Sequence, residues 1–229
     1  MVLLTTMEIL FPAKSKSSYL KHNNSALSPV IGAILLILLT VLLAGITVSA
    51  VYGKDYSSSL KPAPMAVIEV ESVVGGVPRI GYPYGTPYTE NFIVLVHKSG
   101  EHLCVNSSYI FILGEGGSTI GSFPHFQIPR GEVIIRYEDL GYGGKIPQYR
   151  ARNPDLSDGV WSAGERLVLN GDDSINGTAS SSVFVSINGM ANTSNNYGLR
   201  EKSVVTVKIF DRDSNKMIAQ IKHKVTPAK

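Results

Sequence analysis

Between Lys21 and Lys54 the chain carries no charged residue, and from Pro29 to Tyr52 only Thr40, Thr47 and Ser49 interrupt a run of apolar and small side chains. A helix over Pro29–Tyr52 rises ~36 Å at ~1.5 Å per residue, against a hydrocarbon thickness of ~30 Å. It is long enough to cross a bilayer. Ser28 suits an N-cap and Pro29 the first helical position, so the helix start is written locally. At the other end Gly53 is expected to stop the helix, with Lys54 placed to meet the negative end of its dipole. A helix apolar on every side, with no face for water, belongs in lipid or among other helices.

The flank before this run is polar and holds Lys14, Lys16 and Lys21 against Glu8. Lysines beside an apolar helix stay in the cytoplasm, so residues 65–229 are expected outside the cell. Met7 is a second possible start, and the reading is the same from either. Most of the formal net charge of +3 belongs to this flank, which leaves the remainder nearly neutral. A nucleic-acid partner, which asks for a basic stripe, is not expected.

Residues 54–64 read as a neck, because Pro62 and Pro64 favour extended backbone. From Met65 onward, roughly 165 residues remain, enough for one domain with a real core. Here the hydrophobic period changes to two. Short β-branched and aromatic runs recur at Val67–Val73, Phe92–His97, Tyr109–Leu113, Val133–Tyr137, Arg166–Leu169, Val183–Ile187, Val204–Phe210 and Met217–Val225, separated by Gly, Pro, Asn and Asp clusters. Val205, Val207 and Ile209 alternate with Thr206 and Lys208, and Asp211–Asn215 forms the turn into the last run. The expected fold is mainly β: an immunoglobulin-like antiparallel sandwich over 65–229 carried on one long apolar helix, a lollipop. The single cysteine, Cys104 in Leu103-Cys104-Val105, excludes an internal disulfide and reads as a buried thiol.

No catalytic constellation stands out, and neither a metal nor a cofactor is expected. Asp211, Asp213 and Asn215 have the opening spacing of a calcium loop, but Lys216 replaces its glycine and Lys222 its final glutamate. Asp172 and Asp173 beside Gly171 read as a polar loop tip. His97, His102, His125 and His223 do not form a compact ligand set. Gly141-Tyr-Gly-Gly-Lys145 has the look of a phosphate loop, yet Ile146 stands where Ser or Thr is needed and no helix is expected to follow. Asn106, Asn176 and Asn192 begin N-glycosylation sequons in the domain expected outside, whereas the sequon at Asn23 lies in the cytoplasmic flank. Tyr82-Pro-Tyr84-Gly-Thr-Pro-Tyr88 reads as a loop ordered by tyrosines on the sandwich surface.

Three fates remain open for the helix. A general signal peptidase could cut after Val48-Ser49-Ala50, although its substrates carry shorter apolar runs. The helix could stay as a permanent anchor, making the chain a monomeric surface-binding protein. The third fate rests on likeness. Ala26-Leu27-Ser28-Pro29-Val30-Ile31-Gly32 resembles the Ser-Pro-Val-Ile-Gly signature of archaeal type IV pilins. Phe92–His97 with the turn at Gly100, Val160-Trp161 through Gly164-Glu165, and the closing hairpin from Ser203 are similar to later parts of that family.

The resemblance implies that residues 1–26 are a class III signal peptide, cut between Ala26 and Leu27 by a prepilin peptidase. Residues 27–53 then form the membrane helix and, later, the core of a helical homopolymer, with the β-domain as its shell. It also implies an assembly ATPase and a membrane platform protein as partners, and a surface adhesion pilus as the destination. Within the helix, Gly32, Leu35, Leu38, Leu42, Gly45 and Ser49 are the candidate packing residues. Gly45 and Ser49 form a small-xxx-small pair that lets backbones approach, and bulky rows flank it.

Overall fold

A computed structural model of the chain describes residues 27–80, 85–121, 125–175 and 180–228, with backbone only at residues 27, 28 and 51–60. The chain divides into two compact units at Gly53–Lys54. Among the described residues the first unit consists of helix α1 (Leu27–Leu60) up to Gly53. Its stretch Pro29–Ala50 is long and apolar enough to cross a membrane. The expected stop at Gly53 is corrected: helical backbone continues to Leu60. A single interior glycine costs only ~1 kcal/mol. Pro62 is the stronger barrier, because it pushes Lys61 out of the helical region. The extended neck is therefore confined to the residues from Lys61 to Met65.

The second unit is a β-sandwich. One sheet holds β1 (Ala66–Gly75), β2 (Phe92–Gly100), β7 (Arg166–Asn170) and β12 (Thr226–Pro227), in the order β12-β1-β2-β7. The other runs β11 (Lys216–Lys224), β10 (Val204–Asp211), β4 (Ser108–Gly117), β5 (Arg130–Tyr137) and β8 (Val183–Ile187), with β9 (Gly198–Leu199) attached to the end of β4. A separate pair joins β3 (Leu103–Cys104) to β6 (Val160–Trp161). All pairings are antiparallel except β1 with β12. Alternation sends Ile93, Leu95, Leu167 and Leu169 inward from one sheet to meet Ile110, Ile112, Val133, Ile135, Val205 and Val207 from the other, and all are fully buried. Open edges are covered or charged. Asn153 mimics a strand against β7, donating to Val168 O at 2.9 Å and accepting from Val168 N at 2.7 Å. Thr193 Oγ1 and Asn195 Oδ1 do the same for Val185 on β8. Lysines 216, 222 and 224 line β11.

Three expectations about the domain change. Helix α2 (Pro147–Arg152) does follow the glycine-rich run, and Lys145 before it has a fully buried side chain that donates to Asp139 Oδ1 at 2.9 Å and Ser182 Oγ at 2.6 Å. Cys104 is exposed, because the two-residue strand β3 turns Leu103 inward and its neighbour out. Its thiol is shifted down by a hydrogen bond with Ser107. Asp173 is not a loop tip but fully buried. Its Oδ2 accepts from Tyr137 Oη at 2.8 Å and Asn170 N at 2.7 Å, while Oδ1 pairs with Arg152. Tyr197 Oη lies 3.1 Å from Tyr137 Oη. Burial pushes the Asp173 carboxyl up, and pushes the hydroxyls of Tyr137 and Tyr149 well above the usual tyrosine range.

Candidate functional site

The surface of α1 is the most unusual feature of the described residues. In a sandwich, leucine and isoleucine are buried; here Leu35, Leu38 and Leu42 are 60%, 53% and 62% exposed, and Ile31, Leu36, Leu39, Leu43 and Ile46 are similarly bare. Polar atoms do not relieve this. Thr40 Oγ1 donates to Ile37 O at 2.8 Å and Thr47 Oγ1 to Ala44 O at 2.9 Å, so both hydroxyls are spent on the helix's own backbone. With every backbone group from the interior turns also paired internally, the helix presents only hydrocarbon.

The spacing of that hydrocarbon is regular. Ile31, Leu35, Leu38, Leu42, Gly45 and Ser49 follow one another at alternating steps of about four and three residues, the 3.5-residue repeat that keeps one seam facing a partner helix. Gly32, Leu36, Leu39, Leu43, Ile46 and Ala50 repeat the pattern one residue on. Both seams combine bulky knobs with small residues. A Cβ built on Gly32 or Gly45 would meet nothing within 4 Å. Val41, Leu42, Gly45, Ile46, Ser49 and Ala50 enclose a shallow apolar recess over the second of these. The candidate packing residues therefore share one continuous seam, except Gly32, which opens the adjacent one.

The remaining candidates are placed as follows. Ala26 lies outside the described residues. Leu27 is the first described residue and is already helical, so Ser28 and Pro29 both lie within α1. Asn106 and Asn192 are exposed, and Asn176 lies outside the described residues. Their sequons differ locally: Ser108 is buried at the start of β4, whereas Asn192 and its neighbours lie in the loop beside β8. His97 is buried, with Nδ1 2.9 Å from Trp161 O and Nε2 3.1 Å from Ser99 O, which makes it a brace between strands. Among the described residues no three His, Cys, Asp or Glu side chains cluster to hold a metal. In the tyrosine-rich loop only Tyr88 and its nearest neighbours are described, and Tyr88 Oη meets Thr119 Oγ1 at 2.8 Å. Neither protein-family models nor curated proteins yield a match to this chain.

Proposed function

We propose that the chain is the structural subunit of an archaeal type IV pilus. The observation that carries this reading is a helix bare of partners, apolar on every side and seamed at 3.5 residues. It stands directly behind the Ser28-Pro29-Val30-Ile31-Gly32 motif. Each leucine left on such a surface forfeits ~1.5–3 kcal/mol of burial in water. Lipid supplies that burial first, and identical neighbours can supply it later at little net change, since tails and leucines are about equally apolar. Fit then selects the neighbour: Leu35, Leu38 and Leu42 act as knobs, and Gly32, Gly45 and Ser49 admit them.

In this scheme a prepilin peptidase cuts on the cytoplasmic side between Ala26 and Leu27, freeing the helix start without removing the helix. An assembly ATPase and its membrane platform protein draw the subunit from the bilayer into the filament. The β-domain forms the outer shell beyond the cell surface, with Asn192 a better glycan acceptor than Asn106. The intact mass and N-terminal sequence of the protein recovered from sheared surface filaments test it. A chain beginning at Leu27 is the expected result. An intact Met1 or Met7 terminus would mean a permanent anchor and a surface-binding monomer, and a chain beginning at Val51 would mean a secreted domain.

A further inference from the structure

At the end of the sandwich where β1 finishes, opposite the end where Lys61–Pro64 lead in, the sheets leave an open cleft of about 520 Å³. Its wall is polar and basic. Arg79 comes from the loop after β1, Arg130 opens β5, and Arg200 and Lys202 follow β9. Only Glu201 among the lining residues carries the opposite charge. Arg200 is already engaged, since its guanidinium lies 2.5 Å from Glu115 Oε2. Arg130 Nη2 donates to the carbonyl of Pro78 at 3.3 Å. Among the described residues, Arg79, Arg130 and Lys202 have no carboxylate at ion-pair distance.

This concentration is not inherited from the composition, because the chain after the helix is nearly neutral. It is made by topology. Gly117 pairs with Arg130 and Gly116 with Leu199, so strand ends far apart in sequence deliver their cations to one place. The backbone there is fixed: Lys202 sits in the left-handed region at φ 64°, and its N–H donates to Val225 O at 2.9 Å. Like charges crowded on one wall repel, and that cost is recovered when an anion arrives.

We propose that this cleft binds an acidic polysaccharide, whose carboxylate or sulfate groups are taken by Arg79, Arg130 and Lys202. An open, polar cleft suits a polymer lying across it better than an enclosed small molecule. Thr86 adds a hydroxyl for sugar hydroxyls. The inference is independent of polymerisation.

The test is fluorescence anisotropy of full-length protein in non-ionic micelles, titrated into labelled heparin, labelled polygalacturonate and labelled neutral dextran. Both acidic polymers are expected to bind and dextran not, with affinity falling more than about tenfold from low to high salt. Arg79→Gln with Arg130→Gln should weaken binding by about tenfold or more while the melting temperature stays put. Lys216→Gln, at the opposite end of β10–β11, should leave it unchanged. The proposal falls if neither acidic polymer binds, if dextran binds as well, or if Lys216→Gln weakens binding as much as the cleft variants. Tighter binding of single-stranded DNA than of either polymer would also overturn it, reassigning the cleft to nucleic acid.

Discussion

Leu42 on α1 is 62% exposed and Leu95 on β2 is fully buried, although the two side chains have the same chemistry. A helix closes its hydrogen bonds within one segment, so α1 can form with its apolar side chains exposed. A strand has unpaired groups on both edges and forms only when the chain supplies neighbours, so the sandwich completes its core internally. Polar groups follow the same division. Thr40 and Thr47 turn back on their own helix, whereas Asp173 gathers donors from Tyr137, Asn170 and Arg152, brought together from separate elements. The stability of one region is a property of the chain. That of the other belongs to its surroundings.

The largest expected effect lies in the self-contained region. Asp173→Ala would leave Arg152 without its partner beside a guanidinium Nε that already lacks one, and would orphan the Tyr137 hydroxyl and the Asn170 N–H. Removing one side of a buried pair costs ~3–5 kcal/mol. Urea unfolding of the full chain in micelles should register that loss in the β signal while the helical signal is retained. A loss below ~1 kcal/mol would show that the network is decorative.

Next comes the dependent region. Leu42→Arg places a charge in the middle of the seam, at a penalty of ~2.5–3.5 kcal/mol for a charge at a membrane helix centre. On the proposed pilus reading, membrane retention and filament yield should both fall, with the melting temperature of the sandwich unchanged. A shifted melting temperature would mean that the helix contributes to the domain core, and the division drawn above would fail.

These two regions also differ in how far they could be read from sequence. All eight expected strands are present, because period-two runs such as Val205-Thr206-Val207-Lys208-Ile209 leave one face apolar whatever the pairing. The helix seam was equally plain, since its spacing lies within one element. What escaped is shorter or more distant. α2 has six residues, too few to display a helical period, and β3, β6, β9 and β12 have two each. The helix end is easily misplaced in sequence because Gly53 stands out, although it weighs less than Pro62. Asp173 reads as a loop residue in sequence because its partners Tyr137, Arg152 and Tyr197 lie far along the chain. The cleft of Arg79, Arg130, Arg200 and Lys202 is invisible in sequence for the same reason.

A smaller, pH-dependent effect separates the regions again. Tyr137, Tyr149 and Tyr197 are fully buried, and burial raises all three above the ordinary tyrosine value near 10. Above pH ~10 the unfolded chain therefore releases protons that the folded one keeps, so stability is complete below that pH and declines as the pH rises further. Lys145 acts in the opposite sense, because burial lowers its ammonium below the usual lysine value; its contribution rises with pH only up to that usual value, so it blunts the onset of the decline and no more. Thermal melts from pH 9 to 11.5 should show the β signal losing stability above ~10, with a shallower fall for Tyr149→Phe, while the helix signal stays flat. A flat β signal would show that the three hydroxyls titrate freely.

The smallest expected change is Gly45→Ala, and it sharpens the comparison most. In the sandwich a glycine such as Gly116 is fixed by its surroundings, since a Cβ there would collide with the carbonyl of Gly198. At Gly45 nothing lies within 4 Å, so the isolated helix should accept alanine and gain ~1 kcal/mol in propensity. If the helix were only a membrane anchor, that gain would be harmless. If Gly45 and Ser49 admit a neighbouring helix, the added methyl widens the contact and filaments should dissociate at lower temperature, although each subunit is more helical by circular dichroism in micelles. Filaments as heat-stable as the parent's would show that this part of the seam faces no neighbour, and would move the packing surface to the row of Leu36, Leu39, Leu43 and Ile46.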